Sequence, residues 1–303
     1  MKRGLALLGT AAALMLAGVV LWRGLGDLPR LDWARAATWG WLGLAVALYG
    51  LSQLLGATLW RILLGETGRG LAPGVAEGQF MTAQIGKYLP GNVGHLLGRA
   101  ALAHRDGVPA GVVARATAVE IGSLVVAGVL VSGLGVVLVP DLVAPLIAGA
   151  GLEVQVSLVR GLAIAVLASA LAAAALHARR AGGPAGPVLA ICCYMASFVL
   201  LGLSLLALCN LAAPEALPDP VTAIVVFAVA WTLGFVMPGA PGGIGVRDGL
   251  IALGLGLAMS PGAAVLVAAL HRGVSVLGDV LVFGAGLALR RRLAAAEPAG
   301  RSA

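Results

Sequence analysis

Met237-Pro-Gly-Ala-Pro-Gly-Gly-Ile-Gly-Val-Arg-Asp-Gly249 sets two prolines, a run of glycines and an Arg–Asp pair between apolar segments, Val221 to Val236 and Leu250 to Ala258. Proline removes a backbone donor and glycine loosens a helix, so a lipid-facing helix cannot contain this stretch. Irregular backbone at membrane depth persists only where protein or a water-filled cavity supplies its hydrogen bonds. The stretch is therefore either a loop at the membrane surface or a break that lines a site. A second copy favours the break. Lys87-Tyr-Leu-Pro-Gly-Asn-Val-Gly94 carries the same Pro-Gly-x-x-Gly, so that Pro90, Gly91 and Gly94 stand 151 positions before Pro241, Gly242 and Gly245.

The surrounding composition settles the class. Of 303 residues, 60% are hydrophobic and 11% charged, far from a soluble average. The chain reads as one all-α polytopic membrane domain, 1–303, with room for about six to eight spans of roughly 20 residues. No polar stretch is long enough for a soluble Rossmann, kinase or hydrolase domain. The net charge of +7 sits at span ends, where it sets orientation and meets anionic headgroups, so nucleic acid is not an expected partner. Cys192, Cys193 and Cys209 fall in one apolar segment without zinc spacing and read as small hydrophobes. Lys2-Arg3 followed by Gly4 to Trp22 resembles a signal peptide but lacks a small-x-small cleavage site, so it reads as a retained first span.

Working outward from the two breaks, a second span runs from about Trp39 to Leu64, after the interfacial Trp33, Trp39 and Trp41. Val75 to Leu89 and His95 to Asp106 are each too polar to cross alone, and together they predict a re-entrant hairpin about Pro90-Gly91. Pro109 opens a long helix to about Val139. Further spans follow at Val159 to His177 and Val188 to Ala212. Val221 to Val236 and Leu250 to Met259 flank the second break, and the last helix runs from Pro261 to Arg290-Arg-Arg292, leaving 293–303 as a disordered tail. Six full spans plus two re-entrant hairpins fit this pattern, and so do eight spans. Acidic loops at Asp141 to Glu153 and Glu215 to Asp219 alternate with basic ends at Arg179-Arg180 and Arg290 to Arg292. That asymmetry predicts both termini on the cytoplasmic side of the inner membrane.

The 151-residue register also pairs Ala101-Leu102 with Ala252-Leu253, Gly111 with Gly262, Gly122 with Gly273 and Val129-Leu-Val131 with Val280-Leu-Val282. It divides the chain into halves at 1–140 and 156–292. Each half would hold an odd number of crossings, so the second would lie upside down relative to the first. Inverted repeats with broken helices meeting near the midplane are the architecture of alternating-access transporters.

Lys87-Tyr-Leu-Pro-Gly-Asn-Val-Gly-His95, Ala116-Thr-Ala-Val-Glu120, Pro241-Gly-Gly-Ile-Gly-Val-Arg-Asp248 and Leu270-His-Arg272 resemble, in order, the lysylphosphatidylglycerol synthetase transmembrane (flippase-like) family. The resemblance covers nearly the whole chain. It implies a bundle that moves a lipid between leaflets, often fused to a soluble aminoacyl- or glycosyl-transferase. No such domain is present, so synthesis of aminoacylated lipid is not inherited, and a separately encoded transferase becomes the implied partner. The family tends to follow its Glu with Arg and a nearby Asp, whereas Ile121, Gly122 and Ser123 follow Glu120 here.

A charge at the centre of a span costs about 2.5–3.5 kcal/mol on insertion scales and so faces a cavity or a partner. Helices begun at Pro109 and Pro261 carry Glu120 and Arg272 to mid-bilayer depth, with His271 in register with Glu120 and Asp279 two turns beyond Arg272. The bland expectation is a structural Arg272–Asp279 or Arg272–Glu120 pair. The functional one is a lipid headgroup site in which Arg272 binds phosphate and the acids set charge selectivity. Half-helix starts near Gly91, Asn92 and Gly94, and near Gly242, Gly243 and Gly245, would add free amides to such a site. Lys87, Arg99 and Arg247 lie close enough in sequence to contribute; Arg247 with Asp248 is equally a local ion pair, and Lys87 equally a snorkelling lysine. No metal-ligand spacing, catalytic constellation or Walker loop is present, so neither cofactor, metal nor ATP-driven pumping is expected. The sequence thus points to a non-enzymatic translocator of an anionic phospholipid or lipid-linked precursor. An integral-membrane enzyme acting on lipid phosphate and a non-transporting partner of a transferase are the alternatives.

Overall fold

The computed structural model describes residues 25–65, 71–89, 93–139, 185–236 and 245–296, with isolated positions before 25 and between 157 and 172. Every described element is a helix. The order is α1 (Ala36–Gly65), α2 (Val75–Ala83), a 3-10 turn (Gln84–Tyr88), α3 (Gly94–Arg105), α4 (Ala110–Leu138), α5 (Ala185–Ala212), α6 (Pro220–Val236), α7 (Val246–Leu255) and α8 (Pro261–Ala296). Among the described residues, four helices are long and apolar enough to cross a membrane: α1, α4, α5 and α8. The shorter Pro220–Phe235 is as apolar but falls below that length. Of the six full spans expected, Gly4 to Trp22 and Val159 to His177 lie almost entirely outside the described residues, as do both Pro-Gly turns. One boundary is corrected: α8 does not stop at Arg292 but continues through Ala296, because Leu293-Ala-Ala-Ala296 are strong helix formers with nothing to break them.

Local chemistry explains the starts. Before α1, the Asp32 carboxylate accepts the Ala34 amide at 3.1 Å, and the Trp39 indole donates to the Trp33 carbonyl at 3.1 Å. Helix α2 begins at Gly74, whose φ of +87° favours glycine; Glu77 reaches back to accept the Gly74 N–H at 3.0 Å and pairs with Arg61 at 2.8 Å. Asp219 caps α6, accepting the Thr222 amide at 3.0 Å as well as its hydroxyl. Pro261 stands first in α8, where its missing donor costs nothing, and Ser260 accepts the Ala263 amide at 3.3 Å.

Both arms of the first predicted hairpin are helical, and Leu89 at the end of the first is extended (φ −72°, ψ 147°). Gly86 and Gly94 close it: a Cβ on Gly86 would stand 2.7 Å from the Gly94 carbonyl carbon. The arms meet backbone to backbone, so Gly94 serves close approach. Helix α2 lies on α8 and α1, and α3 leads back towards α4. On the other side α6 and α7 fold together, α7 packing on α8 and α6 against α4 and α5. The centre of the bundle is filled by Trp60, Phe198, Leu205, Phe227, Ile251 and Leu255, all essentially fully buried.

Lipid tails are as apolar as leucine, so helices in a bilayer associate through close packing at small residues. Gly202 on α5 is such a point, because an added Cβ would overlap the Cα of Ile224 on α6, which is backbone and cannot swing away. Gly43 on α1 has nothing within 4 Å of the same added atom. Gly202→Ala is therefore expected to destabilise the protein by about 1–3 kcal/mol, and Gly43→Ala to be neutral or slightly stabilising. Thermal unfolding of both variants in the same detergent checks this; equal melting temperatures would show that α5 and α6 do not pack so closely.

Candidate functional site

One cavity, about 1160 Å³ including its open mouth, gathers the polar side chains of both broken regions. It is lined by Lys87 from the 3-10 turn, Arg99 from α3, Glu120 from α4, Arg247 from α7, and His271, Arg272 and Asp279 from α8. Seven residues singled out in the sequence thus converge on one space, although up to 192 positions separate them.

Asp279 is the hub. It is fully buried on α8 and accepts four donors: Tyr49 Oη at 2.8 Å and Gln53 Nε2 at 3.1 Å from α1, and Lys87 Nζ at 2.6 Å and Tyr88 Oη at 2.5 Å from the hairpin. Lys87 also donates to Tyr49 Oη at 3.0 Å. The arrangement ties the end of the first hairpin arm to two spanning helices. A buried carboxylate tolerates this position because its charge is matched and its lone pairs are filled.

Glu120 forms the second pair. Arg99, 2% exposed, addresses both of its oxygens, with Nη1 to Oε1 at 2.8 Å and Nη2 to Oε2 closer still; Tyr194 from α5 adds a bond to Oε1 at 2.9 Å. The Arg99 guanidinium lies 3.9 Å from the Trp60 ring centroid and 5.3 Å from that of Phe80, so its faces are covered by aromatic rings. The third pair joins α8 to α7: Arg272 Nη2 stands 2.8 Å from Asp248 Oδ1 and 2.9 Å from Oδ2.

These pairs correct the expected ones. Arg272 meets neither Asp279 nor Glu120. Seven residues along a helix are about 10.5 Å of axial rise, so Arg272 and Asp279 share a face without touching, and each finds a nearer partner on another helix. Nor do Arg247 and Asp248 form the pair their adjacency allowed. Successive helical residues point about 100° apart. Asp248 turns to Arg272 and also accepts the Gly245 N–H at 3.1 Å, while Arg247 turns to the Trp231 ring at 5.5 Å. The Gly245 amide, expected to face phosphate, is thus occupied by a carboxylate. Pro90, Gly91, Asn92, Gly242 and Gly243 lie outside the described residues.

Several contributors escaped the sequence reading. Tyr49 and Gln53 are polar residues four apart in a largely apolar span, and Tyr194 lies in the largely apolar α5. Polar spacing of i, i+4 on one spanning helix was the available signal. Trp231, stacked on Phe235 at 5.0 Å, gives the cavity an aromatic wall beside Arg247. Four cavity-lining nitrogens are buried without a partner: His95 Nδ1, Arg99 Nε, Arg247 Nε and His271 Nε2. Buried polar atoms are rarely left so, and among the described residues these four lie in one cavity.

The Lys87–Asp279 pair yields a test. Asp279→Asn or Lys87→Met alone strands a buried charge and is expected to cost about 3–5 kcal/mol. The double variant should recover most of that loss. Thermal unfolding of the four proteins decides, and additive losses in the double variant would mean that the two side chains do not depend on each other.

Curated proteins provide no match to the chain. The family described as lysylphosphatidylglycerol synthase TM region matches residues 5–282. That match spans every residue lining the cavity, and with its apolar helices the chain is a multi-pass membrane protein belonging to the lysylphosphatidylglycerol synthase TM region family.

Proposed function

We propose that this protein carries an anionic phospholipid or lipid-linked precursor between the leaflets of the cytoplasmic membrane, acting as a translocator rather than an enzyme. The observation that carries this reading is the cavity itself. Its charged lining comes from both broken regions, Lys87 and Arg99 on one side and Arg247 on the other, and its unpartnered nitrogens await an oxygen-rich group. Arg and Lys clusters with free donors suit a lipid phosphate. The order of elements supports alternating access: a spanning helix, a hairpin and a spanning helix occur as α1 to α4 and again as α5 to α8. In this reading the two sets are inverted copies, both termini are cytoplasmic, and a separately encoded transferase supplies or consumes the lipid.

Reconstitution tests it. In liposomes holding the purified protein and a fluorescent phosphatidylglycerol in both leaflets, external dithionite should quench the protected inner-leaflet label faster than in empty liposomes, as that lipid is carried outward. The Arg247→Gln variant should fold yet translocate at least tenfold more slowly, since a charge-assisted bond to phosphate is lost. Absence of acceleration by the wild type would defeat the proposal. Donor-dependent modification of the headgroup would favour a lipid-modifying enzyme, and co-purification with a transferase without translocation would favour a membrane partner.

Orientation has its own check. Cysteine labelling, in a variant lacking Cys192, Cys193 and Cys209, should find Arg179-Arg180 and Arg290 to Arg292 on the cytoplasmic face and the Pro214 to Pro220 loop outside. Basic sites on opposite faces would contradict the orientation.

A further inference from the structure

We infer that the cavity selects its lipid by net charge, taking a phosphodiester headgroup of charge −1 and rejecting one that carries an added amine, with Arg247 as the residue that sets this preference. The inference rests on the lipid-binding reading above and narrows the class of lipid.

It follows from which charges in the cavity are already matched. Among the described residues, the lysine and arginines that line it are Lys87, Arg99, Arg247 and Arg272. Lys87 is paired with Asp279, Arg99 with Glu120, and Arg272 with Asp248. Among the described residues no carboxylate pairs with Arg247: its neighbour Asp248 is turned away to Arg272, and its own contact is the Trp231 ring at 5.5 Å. With histidine neutral, His95 and His271 add nothing, and the site carries one surplus positive charge, located at Arg247. The Arg247 Nε is buried without a partner.

A surplus charge between low-dielectric walls biases what can join it. A phosphodiester of charge −1 neutralises it and fills the donors of a planar guanidinium. A zwitterionic headgroup brings the phosphate but leaves the total positive. A lysyl-ester of the same lipid brings two ammonium groups, so its net charge of +1 would double the surplus at close range, where low dielectric magnifies repulsion. Wrong-charge ligands are thus excluded by repulsion as well as by lost attraction. The aminoacylated lipid in the family's name is therefore not the one this cavity fits best.

Competitive retention tests this without any transport measurement. The purified full chain, held in a zwitterionic detergent, is incubated with equal amounts of phosphatidylglycerol, phosphatidylethanolamine and lysyl-phosphatidylglycerol, and the retained lipids are quantified by mass spectrometry. The wild type should retain phosphatidylglycerol over the lysyl form by about tenfold or more. Arg247→Lys keeps the charge and should keep the preference; Arg247→Gln should abolish it, and Arg247→Glu should reverse it. Melting temperatures of the same samples identify any variant that fails to fold, and the wild-type ratio stands without them. Equal retention of the two lipids by the wild type, or an unchanged preference in a folded Arg247→Gln protein, would overturn the inference. So would displacement of phosphatidylglycerol by millimolar inorganic phosphate, which would reassign the site to a soluble anion. Correct preference without liposome translocation would remove only the transport reading, and translocation of both lipids alike would remove only charge selection.

Discussion

Ionised groups inside a membrane protein must be matched at close range, because neither water nor lipid is there to solvate them. This constraint organises the structure around its cavity. Asp279, Glu120 and Asp248 each hold a cation from a different element, so every pair is also a joint: hairpin to α8, α3 to α4, and α7 to α8. The first hairpin cannot be placed by apolar burial alone, since its arms are short and carry Glu77, Gln79, Gln84 and Lys87. Its position follows from where its polar groups find partners. Gln79, fully buried, accepts from Trp60 at 3.1 Å and donates to Asp106 at 2.8 Å, and Asp106 in turn holds Arg290 at 3.0 Å.

Two kinds of packing therefore share the bundle. Away from the cavity, small residues such as Gly202 let helix backbones approach, and the contacts are apolar and non-directional. Around the cavity, direction matters: four donors converge on Asp279, and a bidentate fork addresses Glu120. Removing a methyl from the first region leaves a small void; removing one partner from the second leaves a bare charge. The two regions should accordingly differ in how substitutions scale, the polar one showing strong coupling between partners.

Much of this was legible in the sequence, for physical reasons. The cost of proline, glycine and charge in lipid made Lys87-Tyr-Leu-Pro-Gly and Pro241 to Asp248 stand out, and the same cost marked Glu120, Arg272 and Asp279 as facing a cavity. Which residues pair was not legible. Arg272 and Asp279 share a helix face, and helix periodicity says only that they look the same way; it does not say what stands opposite. Opposite Asp279 stand Lys87 and Tyr49, and opposite Arg272 stands Asp248, through tertiary placement that no local pattern encodes. Tyr49, Gln53 and Tyr194 were missed because tyrosine and glutamine are cheap enough in a span to look ordinary one at a time.

The pairing also explains why Arg247 differs from its neighbours. A cation whose only function is to hold the bundle gains by having its carboxylate, and Lys87, Arg99 and Arg272 each have one. Arg247 sits beside Asp248 in sequence, the cheapest partner available, yet helix geometry sends that carboxylate elsewhere. Its guanidinium rests instead against an aromatic wall, which stabilises a cation without neutralising it. Cation–π contact leaves the charge available to an anion that approaches from the cavity, whereas an ion pair would have to be broken first. Under the translocation proposed above, a site that must release its ligand benefits from that difference, because the empty state is held by a contact that the ligand does not need to displace.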